Sequence, residues 1–74
     1  MAKIEKLIEK MRRNPKGITF NEVKKALEYA GYREVRSVGS HHHFRNDQGL
    51  LTTVKRENPV KPEAVKDALE RIGR

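Results

Sequence analysis

Apolar residues recur along the chain with two different periods, and the switches between them mark its elements. Ile4, Leu7, Ile8 and Met11 fall at i, i+3, i+4 and i+7, one stripe on a helix, while Lys3, Glu5, Lys6, Glu9 and Lys10 fill the other faces. Asn14-Pro15-Lys16-Gly17 ends this helix, because Pro15 disfavours helical geometry at the residue before it. A second helix follows at once: Thr19-Phe20-Asn21-Glu22 reads Thr-x-x-Glu, a capping box. Phe20, Val23, Leu27 and Ala30 supply its buried face, Ala26 is a close-packing position, and Gly31 sits where a left-handed C-terminal cap is needed.

The middle of the chain changes to extended structure. Tyr32 to Val38 is a strand carrying Val35 and Val38 among charges. Gly39-Ser40 breaks it, and glycine at the first central position suits a type II′ hairpin turn. His41 to Arg45 forms the second strand, Asn46-Asp47-Gln48-Gly49 the next turn, and Leu50 to Lys55 a third strand rich in residues that favour the pleat. Connections this short make an antiparallel meander. After the loop Asn58-Pro59-Val60-Lys61, Pro62 takes the first helical position, and Val65, Ala68, Leu69 and Ile72 mark the face of a last helix stopped by Gly73. The order α-α-β-β-β-α predicts an α+β fold, with helices packed on one face of a three-stranded antiparallel sheet and the other face open. The expectation is one domain spanning residues 1–74, with 1–14 as an additional N-terminal helix.

Length and composition narrow the function. Seventy-four residues cannot hold a dinucleotide-binding unit or an eight-stranded barrel. With no cysteine, there is no disulfide framework and no thiolate metal site. No apolar run approaches the ~18 residues of a membrane span, and Met-Ala-Lys-Ile-Glu-Lys lacks an apolar signal-peptide core; a soluble, cytoplasmic protein is the expectation. Seventeen Lys and Arg against ten Asp and Glu leave a net charge of +7, which attracts polyanions, nucleic acid first among them. The same charge also serves solubility on an ordinary domain. Phe20, Tyr29, Tyr32 and Phe44 are the only aromatic side chains besides the histidines, too few for a platform of stacked bases, so contacts to phosphate and groove shape fit better.

The chemistry concentrates in Gly39-Ser40-His41-His42-His43-Phe44-Arg45, which holds all three histidines. Side chains alternate along a strand. Phe44, the one large apolar group here, is expected to face the helices, and His42 shares its face. His41, His43 and Arg45 then point to the open side. A neutral imidazole can take the proton of a ribose 2′-OH, and a nearby cation can stabilise charge developing on phosphorus. Other readings stay open: ordinary exposed strand residues, a remnant of a purification tag, or a metal site. The last is poorly supplied, since His41 and His43 give two ligands and no carboxylate joins them on that strand.

Gly-Ser-His-His-x-Phe, after a helix and strand and before a short hairpin, resembles the HicA family of toxins. Val60-Lys61-Pro62, followed by a helix reading Val65-Lys66-x-x-Leu69, is similar to the end of that family's domain, so the resemblance covers Ile18 to Ile72. It implies a double-stranded-RNA-binding-domain-like fold and ribosome-independent, metal-independent cleavage of messenger RNA. It also implies neutralisation by a HicB-type antitoxin, with no cofactor. The family's catalytic histidine, the first after the Gly-Ser pair, lands on His41. Ser40, Arg36, His43, Arg45, Lys55, Arg56 and Lys61 are candidate substrate contacts, and Lys66 a further candidate for the RNA backbone. Relatives often carry a second histidine near the position of Arg56, and arginine cannot accept a proton. A non-catalytic RNA-binding module of the same fold is the alternative.

Overall fold

The computed structural model describes residues 3–72. Three helices, α1 (Lys3–Arg13), α2 (Phe20–Tyr29) and α3 (Pro62–Ile72), and three strands, β1 (Arg33–Val38), β2 (His41–Arg45) and β3 (Leu51–Lys55), follow one another in the order α-α-β-β-β-α. The strands form one antiparallel sheet in the order β1-β2-β3. This is the α+β arrangement that the patterning predicts. Gly73, the expected stop of the last helix, lies outside the described residues.

The helices start and stop for the reasons written in the sequence. Glu22 N–H donates to Thr19 Oγ1, and Thr19 N–H donates to the Glu22 carboxylate, so both halves of the capping box are made. The Glu22 carboxyl is held below its ordinary value of 4.5, first by that Thr19 backbone donor and then by Lys10, whose ammonium lies 3.0 Å away and ties α1 to α2. At the other end of α2, Gly31 adopts φ +98. Its N–H donates to the Glu28 carbonyl and that of Tyr32 to the Leu27 carbonyl, which is a Schellman motif. Tyr32 is spent on this cap and buried against the core, so β1 begins at Arg33 rather than at Tyr32.

The core lies between the helices and one face of the sheet. Phe44 of β2 and Val54 of β3 pack with Met11, Phe20, Val23, Ala26, Leu27, Val65 and Ala68. Ile18 and Val60, from the two loops that precede α2 and α3, are fully enclosed as well, and Val60 N–H donates to the Ile18 carbonyl across 2.7 Å. Asn58 Oδ1, from the same loop, accepts from Phe20 N–H at the start of α2. These bonds bring the start of α2, the end of β3 and the approach to α3 to one end of the molecule.

Candidate functional site

That end is also where the hairpin between β1 and β2 turns. Gly39 has φ +59 and no non-glycine residue among those described has a positive φ, the signature of a type II′ rather than a type I′ turn. The turn sets His41 as the first residue of β2, opposite Val38 on one side and Lys55 on the other. Arg56 N–H donates to the Ser40 carbonyl at 2.6 Å, which pins the turn to the end of β3.

Residues directly opposite in antiparallel strands share a face. The open face therefore reads in rows: Val38, His41 and Lys55; Arg36, His43 and Thr53; Arg33, Arg45 and Leu51. His41 is exposed, and His43 is half-buried with its Nδ1 sharing a 2.8 Å hydrogen bond with the Thr53 hydroxyl. Val38 and Leu51 leave about half of their surface to solvent on this face.

The inner row is different. Beside the fully buried Phe44, the His42 ring packs tilted against Phe20 with centroids 4.7 Å apart, and its Nδ1–H donates to Glu34 at 2.7 Å. Glu34 also pairs with Lys24 of α2 at 3.5 Å. The Glu34 carboxyl is held below its ordinary value of 4.5, first by the hydrogen bond from His42 and then by the neighbouring positive charges. Glu34 reaches this place through a β-bulge: the pairing slips by one residue between Glu34 and Arg36. Without the slip, the hairpin register would set Val35 opposite Phe44. With it, Val35 is left half-exposed and Glu34 takes the inner position.

The structure thus divides the sequence's candidates. Ser40, His41 and Lys55 come together at the turn, with Arg36 and His43 one row along. Arg45 shares the face but lies four residues from His41, about 13 Å along the strand. Arg56 leaves the face: its guanidinium sits over the Phe20 ring at 5.9 Å, on the helix side of the strand end. Lys61 and Lys66 are exposed at the start and along the length of α3 rather than on the sheet. Sequence reasoning did not single out Glu34 or Thr53, the partners of His42 and His43. Thr53 was out of reach of it: a four-residue turn at 46–49 pairs Arg45 with Leu50 and His43 with Thr52, whereas the turn takes in Leu50 and moves the register by one, which brings Thr53 opposite His43. No group of three or more His, Cys, Asp or Glu that could hold a metal ion occurs among the described residues, and none of their helices is long and apolar enough to cross a membrane.

Fold and site define a small, basic α+β domain that presents an exposed histidine beside a glycine turn, on an open sheet face lined with cations. The family model for the HicA toxin of bacterial toxin-antitoxin systems matches residues 20–73, and the chain belongs to this family. The match opens on the first residue of α2, so α1 lies outside it. No curated protein and no solved structure matches the chain. As a member of the family, the protein is one component of a toxin–antitoxin pair.

Proposed function

We infer that this toxin is a messenger-RNA endoribonuclease, independent of the ribosome, acting in the cytoplasm with His41 as its general base and restrained by a HicB-type antitoxin. The observation that carries the reading is the placement of His41: exposed, at the first position of β2, next to the Gly39-Ser40 turn and in register with Lys55. RNA lies along the open face. His41 takes the proton of a ribose 2′-OH, the 2′-oxygen attacks phosphorus, and the bond to the 5′-oxygen breaks. The products are a 2′,3′-cyclic phosphate and a 5′-hydroxyl. Lys55 and Arg36 stand where cations stabilise the charge that builds on the phosphoryl oxygens. Ser40 orients the phosphate through its hydroxyl, while its carbonyl is already engaged by Arg56. Arg45, Lys61, Lys66 and Arg56 contribute to holding the strand at a distance from the reacting bond. No step in this scheme calls on a metal ion.

The antitoxin has to cover His41, and the face around it sets the terms: acidic groups for Arg36, Arg45 and Lys55, and apolar ones for Val38 and Leu51. A stable complex of this kind buries about 1,200–2,000 Å² in total. The test of the activity is the chemistry of its ends. Defined RNA incubated with the protein in excess chelator should yield 2′,3′-cyclic phosphate and 5′-hydroxyl termini. Products ending in 3′-hydroxyl and 5′-phosphate would overturn the mechanism. Tight, salt-sensitive binding without any cleavage would place the protein among RNA-binding modules instead.

A further inference from the structure

A base alone leaves the reaction half-provided, because the departing 5′-oxygen must gain a proton as the 2′-oxygen loses one. We propose that His43 supplies it, as the general acid partnered with His41; the inference rests on the nuclease reading above and names the second proton carrier of that site.

The geometry has three parts. First, His41 and His43 are two residues apart on one strand, so their side chains rise from the same face about 6.6 Å apart. The attacking and departing oxygens of an in-line displacement stand on opposite sides of phosphorus. Two proton carriers that serve them must be separated, and a phosphodiester fits between imidazoles spaced in this way. Second, His43 is oriented. Its Nδ1 shares a 2.8 Å hydrogen bond with Thr53 Oγ1, which leaves Nε2 as the ring nitrogen for substrate. Thr53 is in register with His43 in the sheet, so the bond comes from the fold rather than from a loop. Third, the groups around His43 suit a site that acquires its negative charge from the substrate. Arg36 faces it from β1 and Thr53 from β3, His41 and Arg45 flank it on β2, and Arg33, Lys55 and Leu51 lie in the adjoining rows. Asp47, in the turn beyond Arg45, pairs with Arg33 at 3.8 Å.

The step balances. His41 accepts the 2′-proton, the O2′–P bond forms, the P–O5′ bond breaks, and His43 Nε2–H passes its proton to O5′. His41 is left protonated and His43 neutral, and exchange with water restores both. Arg56 cannot take this place, because a guanidinium holds its proton throughout. Thr53 is a positioning residue in this scheme: it holds the ring and touches no reacting atom.

The experiment uses two substrates of one sequence, an ordinary RNA and its analogue with sulfur in place of the bridging 5′-oxygen. A thiolate leaves without being protonated, so only the ordinary substrate needs the acid. His43→Gln should slow cleavage of the ordinary RNA by about 10²–10⁴-fold and of the thiolate substrate only a few-fold. Thr53→Val should show the same selective loss in weaker form, with Thr53→Ser restoring the rate. Equal slowing of both substrates by His43→Gln, or no slowing of either, overturns the assignment of His43. His41→Ala separates the two levels of the argument: it should slow both substrates, and unchanged rates for that variant would remove the nuclease site itself.

Discussion

Three consecutive histidines occupy three different environments. His41 is open to solvent at the turn, His42 is packed against Phe20 and bound to Glu34, and His43 is bound to Thr53. Strand alternation was enough to foresee the division, with His42 beside Phe44 and the other two outside. The partners were not foreseen at Glu34, because a bulge at Val35 moves an acidic residue inward and an apolar one outward, against what a regular hairpin dictates. Glu34 carries a prediction. Its carboxyl titrates lower in the folded protein than in the unfolded chain, so the stability it lends is complete above the ordinary 4.5 and is lost as pH falls through the lower, folded value. Melting temperature followed from pH 7 into acid should therefore fall less steeply for Glu34→Gln than for the wild type. Parallel curves would show that the His42–Glu34–Lys24 contact contributes nothing to the acid limb.

At the scale of elements, local signals did most of the specifying. The span of β2 and the capping box of α2 were legible in the sequence, and the boundaries that moved did so for local reasons. Tyr32 belongs to the Schellman cap, and Leu50 to the turn before β3, where Asn46 Oδ1 accepts from its N–H and its carbonyl accepts from Asn46 N–H. The loop residues Ile18 and Val60 were not foreseen as core, since no period runs through a loop; only the pairing of the two loops encloses them. Two substitutions test the elements. Thr19→Ala removes the side-chain acceptor at the start of α2 and should cost about 1 kcal/mol in denaturant unfolding. Gly39→Ala imposes a side chain on a left-handed turn residue, at about 1–2 kcal/mol, and because the turn sets His41 it should lower cleavage more than Thr19→Ala does. Equal activity of the two variants would break the link between turn and site.

Over the whole molecule, the helices supply stability on one side of the sheet and the cations supply attraction on the other. α1 shows the first half of that division: it lies outside the family match, yet Met11 is fully enclosed in the common core. Met11→Ala should lower stability by about 2–5 kcal/mol, a large share of what so small a domain possesses. If unfolding is unchanged, α1 is an appendage. The net charge of +7 shows the other half. RNA affinity should fall steeply with salt, and Lys55→Ala should reduce the slope of log K against log salt by about 1, evenly across RNA sequences. An unaltered slope would move the phosphate path away from the His41 row.

The imidazole of His41 remains the centre of the account, and the most direct measurement compares His41→Ala with the wild type on one defined RNA in the presence of chelator. The rate should fall by at least about 10²-fold. The melting temperature should stay within about 4 °C, because the ring is exposed and outside the core. Cleavage at the wild-type rate by a folded His41→Ala protein would contradict the account.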